Sequence, residues 1–151
     1  MTSENASRRK QAIQITGTAP APLGAYSHAV KAAGLLFVSG QGARDAKTGK
    51  EAGVTLNSEG KVTAYDIEVQ TRAVLDNLSI VLTASGCSLQ DLVEVNVFLK
   101  DMADFQKYNR VYSEYFSFAD PPARTTVQVA DLPGDNFIEI KAIALCPDNQ
   151  S

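Results

Sequence analysis

The chain has 151 residues, of which 44% are hydrophobic and 21% charged, with a formal net charge of −3 and a pI of about 5.1. This length suits one domain with its own core, and the composition predicts a soluble, cytoplasmic protein without a membrane span or secretory leader. The acidic balance disfavours a protein that binds nucleic acid by broad phosphate neutralisation, but it leaves room for a small local site.

The N-terminal third predicts strands separated by irregular segments. We expect residues 1–9 and 147–151 to be flexible polar tails around a single domain, residues 10–146. KQAIQIT and GLLFVSGQGA are typical of strands, and the second is expected to end at Ser39, before Gly40 and Gly42. The prolines and glycines of residues 17–30 predict a loop, and residues 44–54 predict a turn-rich excursion.

The middle of the chain predicts two helices around a strand. Apolar residues recur at helical spacing from Ala64 to Ser85, and Gly86 follows where a C-cap glycine belongs. LVEVNVFLK alternates strictly, as a half-buried strand does. Asp101 and Asp104 then precede a second helix whose aromatic stripe is expected to face the core.

Two further strands complete the chain, RTTVQVADL and FIEIKAIAL, and the turn sequence PGDN between them predicts a hairpin. The predicted order is strand, strand, helix, strand, helix, strand, strand. We therefore expect an α+β fold in which two helices pack on one face of a mixed sheet.

Arg124 and Glu139 are the charged residues best placed for chemistry. Arg124 follows two prolines and an alanine, so a stiff backbone presents a guanidinium suited to grip a carboxylate. Glu139 lies on the partly apolar face of its strand, where a carboxylate in a cleft could handle water or a proton. From the pattern alone, a surface ion pair for Arg124 and a pair with Lys141 or Arg124 for Glu139 are the commoner explanations.

The loop GAYSH adds Tyr26 and His28, although a lone histidine is more often a hydrogen-bonded structural group than a catalyst. Ser39 lacks the surroundings of a hydrolase nucleophile. One histidine without a carboxylate cluster at ligand spacing predicts no metal site, and two isolated cysteines predict no disulfide framework.

Several of these segments together resemble the RidA family of enamine and imine deaminases. They cover residues 20–145 and are GAYSHAV, LLFVSGQ, TRAVLDNL, VEVNVFLKDMADFQKYNRVYSEYF and PPARTTVQVADLPGDNFIEIKAIAL. The resemblance implies a chorismate-mutase-like homotrimer with active sites between subunits and no cofactor. It also implies that Arg124 binds the substrate carboxylate, that Glu139 handles the hydrolytic water, and that Tyr26, Ser39 and Gly40 line the pocket.

Two positions make the chain look more like the 2-aminomuconate deaminase branch of that family. Thr126 stands where members that act on simple imines often carry cysteine, and His28 stands where they often carry glutamine. The resemblance therefore implies hydrolysis of 2-aminomuconate, with Thr126 and His28 in the substrate pocket. A general deaminase of 2-iminobutanoate and 2-iminopropanoate, and a non-catalytic trimer that binds small carboxylates, are the alternatives. A nucleic-acid substrate is less attractive for so acidic a chain.

Overall fold

The computed structural model of the protein describes residues 9–147. They form an α+β domain with a six-stranded mixed sheet, a separate two-stranded sheet and two helices. The strands are β1 (Gln11–Ile13), β2 (Ala29–Ala32), β3 (Leu35–Gln41), β4 (Val54–Leu56), β5 (Val62–Tyr65), β6 (Leu92–Leu99), β7 (Ala123–Gln128) and β8 (Ile138–Leu145). The helices are α1 (Ile67–Ala84) and α2 (Phe105–Tyr115), and short 3₁₀ turns at Leu89–Asp91 and Met102–Asp104 flank β6. The expected tails lie almost wholly outside the described residues.

The main helix begins and ends where its capping groups permit. The Asp66 carboxylate accepts hydrogen bonds from the backbone N–H groups of Glu68 and Val69 at 3.0 and 3.2 Å, which fixes the first turn. The predicted start at Ala64 is three residues before the first helical residue, Ile67, because Val62–Tyr65 form β5 and pair with β4. Gly86, at φ +85°, follows the last turn as predicted.

The main sheet has the strand order β1-β2-β3-β8-β6-β7, in which only β6 and β7 are parallel. The predicted hairpin between the last two strands is wrong, because β8 lies between β3 and β6 while β7 lies on the far side of β6. The PGDN segment does turn the chain, but it carries the chain past the end of β6.

Two predicted loops contain short strands. Ala29–Ala32 forms β2, which pairs with β3 through a tight turn at Ala33 and Gly34, both at positive φ. The turn-rich excursion leads into β4 at Val54, its last predicted residue. Strand β3 continues past the predicted end at Ser39 to Gln41, with a register irregularity between Val38 and Gln41.

The two helices cover one face of the main sheet, as predicted. The core lies between them and the sheet, and its fully buried side chains include Leu75, Leu78 and Leu82 of α1, Tyr108 of α2, and Val38, Ile138 and Ile140 of the sheet. The opposite face carries exposed Phe37, Val127 and Leu145, each at least 40% accessible. Among residues 9–147, no helix has both the length and the apolar character needed to cross a membrane.

A fully buried glutamine fixes the loops next to the sheet. The Gln70 amide of α1 donates to the carbonyls of Ala52 and Asp135, and its oxygen accepts from the N–H of Phe137 at 2.7 Å. Because each of these backbone groups would otherwise lack a partner, the excursion after β3 and the turn before β8 are held against the helix.

Candidate functional site

A cavity of about 330 Å³ opens where β3 ends, a volume at the lower end for small-molecule sites. Its walls come from the loop before β2, the end of β3, the excursion that follows it, helix α1 and strand β8. The lining includes four residues expected from the sequence, Tyr26, His28, Gly40 and Glu139. It also includes Arg44, Glu51, Asn77 and Asn136, which the sequence did not single out.

The Glu139 side chain points away from the core into this cavity. Its neighbours Ile138 and Ile140 are fully buried on the helix side, so strand alternation directs Glu139 to the opposite face. Burial raises the pKa of this half-buried carboxyl, and within residues 9–147 no group donates a hydrogen bond to counter the shift. A carboxylate whose pKa moves toward neutrality is suited to exchange protons with water.

Gly40 forms the surface against which Glu139 rests. A Cβ atom at Gly40 would lie 2.8 Å from Oε1 and 2.9 Å from Cδ of Glu139. Only glycine leaves space for the carboxylate at this point of β3. The neighbouring Ser39 donates its hydroxyl to the Ser27 carbonyl at 2.7 Å and does not line the cavity.

The loop before β2 contributes Tyr26 and His28 in different ways. Tyr26 is 49% exposed, and its hydroxyl accepts the N–H of Leu23 at 3.1 Å. His28 is buried, its Nδ1 accepts the N–H of Ile15 at 3.1 Å, and its Nε2 donates to the Pro20 carbonyl at 2.8 Å. Both ring nitrogens therefore hold the loop, which favours the structural interpretation of His28 over proton transfer or carboxylate binding.

Arg124 does not share this cavity within one chain. The strand register places Arg124 beside Val95, whose other neighbour is Ala142, so Arg124 lies on the helix side of the sheet. Glu139 pairs with Phe98 and lies on the open side. The two charges that the sequence put forward together are thus on opposite faces, with β6 between their strands.

The Arg124 guanidinium lies on an aromatic surface formed by α2. Its carbon is 4.6 Å from the centroid of the Tyr112 ring, and Nη1 donates to Asn109 Oδ1 at 2.7 Å. The ion pairs among residues 9–147 do not include Arg124, contrary to the surface salt bridge that the pattern alone favoured. The stacked, hydrogen-bonded guanidinium is therefore held in place with N–H donors to spare for an anion.

Thr126 supports the same surface from β7. Its hydroxyl is hydrogen bonded to the hydroxyl of Tyr108, whose ring lies under Arg124 with the centroid 5.5 Å from the guanidinium carbon. The buried Tyr112 hydroxyl has no hydrogen-bond partner within residues 9–147. Arg124 and Thr126 thus form a second group of candidate site residues, on the edge strand β7.

Arg44, Glu51, Asn77 and Asn136 are polar cavity residues that the sequence did not single out. Arg44 and Glu51 lie in the segment predicted to be turn-rich, Asn136 in the predicted PGDN turn and Asn77 in the predicted first helix. The available signal for Arg44 was its position four residues after Gly40, just beyond a strand end. In the part of the chain that the structure describes, no group of three or more His, Cys, Asp or Glu residues is arranged to hold a metal ion.

The structure is a single-domain α+β protein with a cavity that two carboxyl groups, Glu51 and Glu139, help to line. A family model described as Endoribonuclease L-PSP matches residues 16–146. A RutC family protein of Pyrococcus horikoshii is 47% identical over 132 residues, covering 87% of this chain and 95% of that protein. Reactive Intermediate Deaminase A of Arabidopsis thaliana is 40% identical over 142 residues, covering 94% and 70% of the two chains.

One solved structure and one further sequence relative point to the same family. The YjgF gene product of E. coli has a TM-score of 0.76 at 36% identity, with 89% of this chain and 98% of that chain covered. The 2-iminobutanoate/2-iminopropanoate deaminase of Salmonella typhimurium is 37% identical over 132 residues, which are 86% of this chain and 94% of that protein. The chain belongs to the Endoribonuclease L-PSP family, the family of the RidA deaminases, as the resemblance in its sequence indicated.

Proposed function

We propose that the protein is a deaminase that hydrolyses enamines and imines of 2-oxo acids. The observation that carries the proposal is the Glu139 carboxyl, which stands half-buried with a raised pKa in a small-molecule cavity. The two relatives named as deaminases, from Arabidopsis thaliana and Salmonella typhimurium, support the same activity. Substrates of the 2-iminobutanoate type, named for the Salmonella relative, are the first candidates.

The chemistry follows from the Glu139 cavity and the Arg124 group. Arg124 pairs with the substrate carboxylate and fixes the adjacent C=N carbon. Ionised Glu139 takes a proton from water as the water oxygen bonds to that carbon. Glu139 passes that proton to the imine nitrogen, which gives the neutral carbinolamine. The carboxylate then takes the carbinolamine hydroxyl proton and delivers it to the nitrogen as the C–N bond breaks, so ammonia leaves and the carbon becomes a ketone. Water is the only second reactant, so the proposed reaction uses no cofactor.

The separation of Arg124 and Glu139 motivates a site shared between subunits. One chain holds the two groups on opposite faces of the sheet, and its open face exposes Phe37, Val127 and Leu145. We propose that a second copy covers part of this face and brings its Arg124 to the Glu139 cavity. A closed ring of three copies, the homotrimer that the sequence resemblance implies, would make three equivalent sites.

Subunit mixing tests this arrangement. Arg124→Ala and Glu139→Gln are each expected to lose ammonia release from 2-iminobutanoate by about 100-fold or more. Co-expressed chains should recover part of the activity, since some sites combine intact Arg124 from one copy with intact Glu139 from another. Mixed assemblies that stay as inactive as either parent would place both groups in one chain's site. Saturable carboxylate binding by the wild type without ammonia release would instead indicate a binding protein.

A second candidate substrate is the conjugated dicarboxylate 2-aminomuconate. Thr126 favours it, because members that act on simple imines often carry cysteine at this position. The Thr126 hydroxyl is hydrogen bonded to the hydroxyl of Tyr108, beside Arg124. Freshly generated 2-aminomuconate and 2-iminobutanoate, compared by kcat/KM, would separate the candidates. A clear preference for the first substrate would support the narrower function, and a preference for the second would support the general one.

A further inference from the structure

The Glu139 cavity contains its own arginine. Arg44 lines the cavity together with Glu139, although its side chain comes from the excursion after β3. We infer that Arg44 binds a second carboxylate of the substrate, so that the preferred substrate is a 2-imino or 2-enamino dicarboxylate. This inference rests on the proposed deaminase function; it adds a specificity-determining residue, which favours the dicarboxylate candidate over substrates of the 2-iminobutanoate type.

The backbone that carries Arg44 is fixed from both sides of the cavity. Asn77 of α1 donates through Nδ2 to the carbonyls of Gly42 and Arg44, at 2.9 Å each. The N–H of Ala43 donates to Asn136 Oδ1 at 2.7 Å. Two asparagine side chains thus hold three successive residues, which makes Arg44 a preorganised group despite its place in an irregular segment.

The Arg44 guanidinium has donors available for a ligand. Nη2 donates to the Ala21 carbonyl, which uses one of the five N–H groups of an arginine side chain and positions the head on the cavity wall. The ion pairs among residues 9–147 do not include Arg44. Glu51 lines the same cavity, but its carboxylate packs against Gly134 and lies beyond ion-pair distance of Arg44.

Two glycines keep side chains out of the cavity where β3 ends, on the segment that leads to Arg44. Gly40 contacts the Glu139 carboxylate and Gly42 contacts the Asn136 amide, where a Cβ would lie 2.7 Å from Nδ2. Both glycines line the cavity with backbone alone. A ligand with carboxylates at its two ends could therefore place its reactive carbon near Glu139 while its far end reaches Arg44.

The presence of two arginines, rather than net charge, favours a dicarboxylate over a monocarboxylate. Arg44 lines the cavity together with Glu139 and Glu51 but is in no ion pair among residues 9–147, and Arg124 of a neighbouring copy would add a second arginine. A substrate with one carboxylate pairs with Arg124 and leaves Arg44 without an anion. A dicarboxylate satisfies both arginines, and each charge-assisted contact contributes selectivity.

Binding of unreactive ligands tests the role of Arg44 without turnover. The probes are cis,cis-muconate, a dicarboxylate, and crotonate, a monocarboxylate, titrated calorimetrically into wild type, Arg44→Met and Arg44→Lys. The matched control is Arg110→Met, which removes the same charge from an exposed ion pair with Glu68. We expect Arg44→Met to weaken muconate binding by roughly 10- to 100-fold, with crotonate unchanged, and Arg44→Lys to show a smaller loss.

The ratio of the two dissociation constants decides the outcome. Selective loss of muconate affinity in Arg44→Met supports the inference. Equal weakening of both ligands would mean that Arg44 only holds the Ala21 loop, and unchanged muconate binding would mean that it faces no carboxylate; either result overturns the inference. Ammonia release by the wild type from 2-aminomuconate and from 2-iminobutanoate, measured separately, shows whether the deaminase function itself stands: release from neither substrate would overturn that function whatever the binding data show.

Discussion

Gly40→Ala tests whether the position of the Glu139 carboxylate controls the reaction. The added Cβ would lie 2.8 Å from Oε1, and ordinary contact begins near 3.4 Å, so the carboxylate must move by about 0.6 Å. A misplacement approaching 1 Å costs up to about 100-fold in rate, and we expect kcat/KM for 2-iminobutanoate to fall about 10- to 100-fold.

The same substitution should leave stability almost unchanged. Gly40 is not at positive φ, so alanine introduces no backbone strain, and the loss of glycine's freedom in the unfolded chain contributes about 0.4–1 kcal/mol of stabilisation. Crowding of a flexible carboxylate offsets part of that gain. We expect the Tm of the variant to lie within about 3 °C of wild type.

The assay is ammonia release in parallel with thermal unfolding, and Gly24→Ala is the matched control. A Cβ at Gly24 meets only the Tyr26 ring, at an ordinary 3.6 Å, and Gly24 does not line the cavity. In a Glu139→Gln background, Gly40→Ala should lower kcat/KM little further, because the carboxylate that the alanine would displace is already absent. Full activity in Gly40→Ala, or an additive loss in the double variant, would refute the reasoning.

Two further substitutions separate the roles of buried groups. Burial raises the pKa of Glu139 in the folded chain above the ordinary glutamate value. Between these two pKa values the folded chain holds the proton more tightly than the unfolded chain does, so the free energy of unfolding falls as the pH rises. The Tm of Glu139→Gln relative to that of the wild type should therefore rise with pH across that range, and the difference should disappear in acid. A Tm difference that stays constant with pH would contradict this. Thr126→Val should destabilise by about 1–3 kcal/mol in urea unfolding because buried Tyr108 loses its partner, whereas Thr126→Ser should not.

The sequence predicted those features that depend on neighbours along the chain. Helical spacing and the glycine at position 86 located α1, and the alternation of FIEIKAIAL correctly put Glu139 on the face opposite Ile138. The hairpin prediction failed because strand order depends on contacts between distant segments. The PGDN turn is compatible with either topology, and only the pairing of β8 with β3 and β6 decides between them.

The site was predictable residue by residue but not as an assembly. Tyr26, Gly40 and Glu139 line one cavity, whereas Arg124 and Thr126 lie on the other side of the sheet, and the alternation of each strand alone could not reveal this. The role of His28 depends on the carbonyl of Pro20 and the N–H of Ile15, which approach it only in the folded loop. Arg44 escaped notice for the same reason.

The central position of β8 has a consequence for biosynthesis. Of the strands in the main sheet, β8 is synthesised last, yet it forms the seam between β1-β2-β3 and β6-β7. Until it arrives, each part of the sheet exposes an unpaired edge strand, β3 or β6, and such edges associate readily with other chains. The nascent protein therefore cannot fold from its N-terminus in stages, and a chain truncated before Ile138 is expected to yield two unjoined, aggregation-prone ribbons.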